Sequence, residues 1–135
     1  MRLVDEKNKV ALPTRAELRI LQVLWDLGQA TVDEVIHHPG LSPQPNYKTT
    51  QTILRIMEEK GLATHASRGR VFVFSPTVTR DEISKLSVRT LLDQNFAGSV
   101  TELMVGVLEV SEVKNGELEE LEDLIRNFRL QKTNS

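Results

Sequence analysis

The chain has 135 residues, no cysteine and a formal charge of −2 at neutral pH, which excludes disulfides, thiolate catalysis and thiolate metal sites. A single core usually takes roughly 100 to 150 residues, so one compact domain with an extension is expected. No apolar run approaches the ~18 residues that cross a bilayer and no signal-peptide layout opens the chain, so the protein is expected to be soluble and cytoplasmic, without a membrane partner.

Residues 1–11 are expected to be flexible. Beyond them, four segments open with a hydroxyl residue followed three places later by Glu: Thr14 with Glu17, Thr31 with Glu34, Thr79 with Glu82, and Ser99 with Glu102. Each precedes apolar residues at helical spacing, the pattern of a capping box at a helix start. The first helix is predicted over 15–27, with Leu18, Leu21 and Trp25 on one stripe and Ile20, Leu24 and Leu27 beside it, ended by Gly28. A short second helix over 32–37 buries Val32, Val35 and Ile36, until Pro39 and Gly40 break it.

The third helix lies in "PNYKTTQTILRIMEEKG", residues 45–61. Helix N-termini carry unpaired N–H groups and a partial positive charge, and so favour Asp, Glu or a capping hydroxyl. This one offers Lys48 among Asn46, Tyr47, Thr49, Thr50, Gln51 and Thr52, and no acid appears between Glu34 and Glu58. At about 100° per residue, Thr50, Ile53, Leu54 and Met57 form the buried stripe, whereas Lys48, Gln51, Thr52 and Arg55 are exposed. Such a face suits DNA: cations neutralise phosphate or donate to guanine, Gln pairs with adenine, and threonine methyls touch thymine. The missing anion at the helix start would then be a backbone phosphate. An exposed helix face is polar in most soluble proteins, so the face alone does not decide the matter.

Ser67-Arg68-Gly69-Arg70 is a turn signal between a short extended run and the β-rich "VFVFS", which predicts a hairpin tipped with Arg68 and Arg70. Three short helices and a hairpin give the fold class: mainly α with a small β-hairpin, a winged helix-turn-helix over 1–78. Residues 79–135 are helical again. Ile83, Leu86, Leu91, Leu92 and Phe96 lead to a break at Gly98, Leu103, Met104, Val107 and Leu108 follow, and Leu118, Leu121, Ile125 and Phe128 come last. Helices this short cannot bury their stripes alone, so this region is expected to dimerise symmetrically. Folding back onto the N-terminal domain is the alternative cover.

Charge supports a central anion site. Residues 39–75 hold Lys48, Arg55, Lys60, Arg68 and Arg70 against Glu58 and Glu59, whereas residues 76–135 are net acidic. His37, His38 and His65 carry no zinc or nucleophile motif. His37 and His38 are expected to satisfy carbonyls at a helix end. No enzyme activity, cofactor, metal or small-molecule ligand is expected.

"YKTTQTILRIMEEKGL", "GRVFVFSP" and "FAGSVTELMVGVLE" resemble the BlaI/MecI/CopY family of penicillinase-type repressors, from about Leu12 to Leu124. The resemblance implies a winged-helix homodimer that represses transcription from an inverted-repeat operator in double-stranded DNA. The alternative is a winged-helix module that binds other proteins. The family's recognition-helix motif falls on Lys48, Thr49, Gln51 and Thr52, its closing Lys-Gly on Lys60 and Gly61, and its wing Gly-Arg on Gly69 and Arg70. Asn46-Tyr47 replaces a Ser-Pro, and Arg55 precedes the position, here Ile56, where well-known members carry arginine. The bond cut in β-lactam-responsive members aligns with Gly106-Val107 rather than Asn-Phe, so that switch is expected to be absent. Asn95-Phe96 and Asn127-Phe128 lie elsewhere. The copper-responsive branch senses metal through cysteines, which this chain lacks.

Overall fold

The computed structural model describes residues 11–134, so the flexibility expected of residues 1–11 lies, Ala11 apart, outside the described residues. The elements follow in the order α1 (Arg15–Leu27), α2 (Val32–Ile36), α3 (Tyr47–Glu59), β1 (Ala63–Arg68), β2 (Val71–Pro76), α4 (Arg80–Asn95), α5 (Val100–Val110) and α6 (Asn115–Thr133). Their starts follow the capping chemistry. Thr14 and Thr31 accept from the N–H of Glu17 and Glu34, whose carboxylates take the threonine N–H in return. Thr79 and Glu82 repeat the exchange, and Ser99 Oγ accepts from Glu102 N–H at 3.1 Å.

The C-terminus of α3 is a Schellman motif. Gly61, at φ +83°, donates to Glu58 O, and Leu62 N–H reaches back to Met57 O. Leu62 and Met57 are both fully buried, so the turn that stops the helix also inserts a side chain into the core. That core gathers Ile20, Leu21, Val23 and Leu24 of α1, Val35 and Ile36 of α2, Leu54 and Met57 of α3, and Phe74 of β2. Leu27 departs from expectation, since it is exposed. It is the last residue of α1, and the chain turns away at Gly28, so the apolar stripe outruns the core it faces.

β1 and β2 pair antiparallel, with His65 opposite Phe74 and Arg68 opposite Val71. Ala30 exchanges both backbone bonds with Phe74, adding a single-residue rung and fastening the hairpin beside α2. Three helices, this rung and a hairpin are the winged helix-turn-helix expected from the sequence.

The chain separates into two compact units, one ending at Thr90 and the other beginning at Leu91. The end of the hairpin had suggested a boundary at 78/79; the division falls later, within α4, because α4 starts in the core of the first unit. Val78 and Ile83 are buried there. Trp25 Nε1 donates to Val78 O at 2.8 Å, and the Arg80 guanidinium lies 4.9 Å from the centre of the Trp25 ring.

The second unit has a different character. No residue of α5 or α6 is buried, although Val100, Val105, Val107, Leu108, Leu124, Ile125 and Phe128 are all apolar and exposed. Gly98, at φ +79°, turns the chain between α4 and α5. The Phe96 ring lies over Gly106, where an added Cβ would touch it at 3.5 Å. Phe96 thus has a packing role, and Gly106-Val107 sits inside α5. No described helix is long and apolar enough to cross a membrane.

Candidate nucleic-acid interface

The start of α3 is capped by a neutral group. Asn46 Oδ1 accepts from Thr49 N–H at 3.2 Å, and the first turn contains no acid. An amide oxygen satisfies one of the free N–H groups but adds no net charge to offset the helix dipole. Tyr47, Lys48 and Thr49 surround this end, all exposed. Thr50, Leu54 and Met57 are buried and Ile53 is half-buried, so the inner stripe is the one the spacing predicts. Gln51, Thr52 and Arg55 are exposed, as expected.

Glu59, one of the two acids counted in the central segment, is exposed and follows Arg55 by four residues, which puts an acid one turn beyond the cationic face.

The hairpin tip carries exposed Arg68 and Arg70 on either side of Gly69. Gly69 has φ +65° and Arg70 does not share the positive φ, the pattern of a type II′ turn with glycine at its first central position. Among the described residues, Lys48, Arg55, Arg68 and Arg70 form no ion pair.

Lys60 is different. Its Nζ lies 2.9–3.0 Å from the carboxylate oxygens of Glu17, which is only 3% exposed. Burial pushes the Glu17 carboxyl upward, but the Thr14 N–H and the Lys60 ammonium outweigh it and hold the group below the usual carboxylate value. Lys60 therefore ties the end of α3 to the start of α1. Glu58 is also engaged, its Oε1 accepting from His65 Nδ1 of β1 at 2.6 Å. Neither pair was read from the sequence, because each joins residues of separate elements. Once both are set aside, the central segment presents four cations against Glu59 alone.

The histidines at the end of α2 divide. His37 Nδ1 meets Asp33 O at 2.8 Å, the helix-end role expected of it. His38 does not cap: its Nδ1 accepts from Gly40 N–H, and its Nε2 donates to Asp26 at 2.8 Å, fastening the following loop to α1. No cluster able to hold a metal ion occurs among the described residues. Two of the surface cavities among the described residues differ in place. One of about 400 Å³ lies beside Trp25, Val78 and Arg80, and one of about 90 Å³ lies beside Arg19, Leu41 and Ile53.

A helix-turn-helix with a cationic third helix and an arginine-tipped wing defines a winged-helix protein of the DNA-binding class. Comparison with known proteins narrows the class. The model of the penicillinase repressor family matches residues 13–127, and the chain belongs to that family. It is 25% identical over 125 residues to the penicillinase repressor of Bacillus licheniformis, spanning 93% of this chain and 98% of that protein. To the penicillinase repressor of Staphylococcus aureus it is 20% identical over 121 residues, spanning 90% and 96%. The solution structure of the Bacillus licheniformis BlaI monomeric form in complex with the blaP half-operator matches with a TM-score of 0.46 at 31% identity, over 55% of this chain and 90% of that one. The family is one of DNA-binding transcriptional repressors, which are not enzymes.

Proposed function

We propose that the chain represses transcription as a homodimer on an inverted-repeat operator, each subunit laying α3 in the major groove. The observation that carries this reading is the exposed face of α3, whose cations form no ion pair among the described residues and whose N-terminus is capped without charge. Asn46, Tyr47, Lys48 and Thr49 lie where backbone phosphate meets the helix start. Gln51, Thr52 and Arg55 face the base edges. From Lys48 to Arg55 the helix advances about 10 Å, or roughly three base pairs. Arg68 and Arg70 reach the flanking phosphates or minor groove.

Dimerisation runs through Leu91, Leu92, Leu103, Met104, Val107, Leu108, Leu118, Leu121 and Ile125. A chain that leaves α5 and α6 without one buried residue needs a second apolar surface, and a copy of itself supplies the matching one.

Binding of duplexes selected from a random pool, followed as salt is raised, tests the whole reading. The selected sites should be palindromic with half-sites about 34 Å apart, and affinity should fall steeply with salt. Lys48→Ala should weaken every sequence alike and lower the log–log salt slope by about one, whereas Gln51→Ala should change base preference at one position. A chain that binds no duplex at low salt would leave a protein-interaction module in place of the repressor.

A further inference from the structure

His65 sits where the wing meets the reading helix. It lies on β1, directly opposite Phe74, and its ring stacks on Phe72 with centroids 4.3 Å apart and planes inclined by 30°. The Phe74 ring is 5.5 Å away on the same face of the hairpin. Phe74 is buried in the core, whereas Phe72, one step nearer the tip, is half exposed. The other side of the imidazole contact is Glu58, in the last turn of α3, at 2.6 Å. A carboxylate only accepts, so Nδ1 carries the hydrogen and donates it.

One side chain therefore touches the aromatic residues of β2 and the end of α3 together. Phe74 fixes the base of the hairpin by burial and by its double bond to Ala30. Val73, in the middle of β2, is also buried, but beyond it the outer part that bears Arg68 and Arg70 has no such anchor: Val71 and Phe72 are about half exposed. A two-stranded ribbon with so little burial bends readily. The stacked His65–Phe72 pair, held by Glu58, braces that outer part against α3.

We propose that His65 is a positioning residue for DNA recognition, setting the angle of the wing to α3 through Glu58 and Phe72 so that the tip arginines reach their phosphates while α3 occupies the groove. The same contact draws the Glu58 carboxylate to the hairpin, away from the cationic face where it would repel phosphate. The inference rests on the repressor reading above. It goes beyond it in coupling two contacts that are otherwise independent.

A double-mutant cycle on a selected duplex tests it. His65→Phe keeps an aromatic ring to stack on Phe72 and removes only the bond to Glu58. In the parent chain Arg70→Ala should weaken binding roughly tenfold, as expected for one phosphate contact. In the His65→Phe background the same change should cost less than about twofold, because the tip no longer reaches its phosphate. Glu58→Gln, which retains an acceptor for Nδ1, should keep the full Arg70 effect, and Glu58→Ala should lose it. Circular dichroism melts of each variant identify loss of folding, and the Arg70→Ala comparison is made below the melt.

Equal Arg70→Ala losses in the parent and His65→Phe chains would overturn the proposal. So would an Arg70→Ala change without effect in the parent, since the tip would then contact nothing. Failure to bind any duplex would remove the repressor reading itself, a different outcome from binding with independent contacts.

Discussion

Glu17 combines two tasks that the sequence shows only one of. As the third residue of α1 it closes a capping box with Thr14, and as a buried carboxylate it receives Lys60 from the end of α3. Glu17→Ala should destabilise the first unit by about 2 kcal/mol, combining the lost cap with the unpaired Lys60, whose partial exposure limits its share. The Glu17 carboxyl titrates below its ordinary value of 4.5 in the folded chain. Its contribution is therefore complete above the unfolded value and disappears as pH falls through the lower, folded one. Urea melts of the parent and Glu17→Gln should differ at pH 7 and converge only once the pH has fallen below the lowered, folded-state value of the carboxyl. A gap unchanged at low pH would mean that the carboxylate charge contributes nothing.

The elements were legible wherever the signal is local. The threonine–glutamate pairs marked helix starts because the cap needs residues only three apart, and Ser67-Arg68-Gly69-Arg70 marked the hairpin because a tight turn needs glycine at a fixed place. The exposed face of α3 followed from the 100° step alone. What escaped depends on neighbours distant in the chain. Glu58 reads as a surface acid until His65 is folded against it, Lys60 reads as a free cation until Glu17 is buried beneath it, and Leu27 reads as core until α1 outruns the core. The start of α4 was likewise assigned to the C-terminal region, since nothing local to Ile83 reveals that its partners lie in the first unit.

Two substitutions separate backbone from packing at this scale. Gly69→Ala meets no neighbour within 4 Å, so its whole effect should be backbone strain at φ +65°, about 1 kcal/mol in a thermal melt. Leu54→Ala should cost roughly 2–5 kcal/mol, because its fully buried side chain leaves a cavity under α3. Comparable losses from the two would mean that the hairpin turn is packed rather than open.

For the molecule as a whole, the contrast between the two units directs the experiments. The first carries its own core, and the second has no fully buried residue in α5 or α6. Deleting residues 99–135 should leave the winged helix folded but weaken operator binding by a factor of roughly 10² or more, since joining two heads supplies an effective concentration that one head lacks. Undiminished affinity would refute dimeric binding. Leu108→Glu should give a monomer in sedimentation and abolish the dependence of melting temperature on protein concentration expected of a dimer. The chain contains one tryptophan, and its indole lies in the first unit, bonded to Val78. Its emission spectrum will therefore report the melting of that unit and be blind to uncoiling of α5 and α6, which only an ellipticity measurement can follow. Two optical signals, recorded on the same unlabelled sample, can thus tell sequential loss of the two units from a single cooperative collapse.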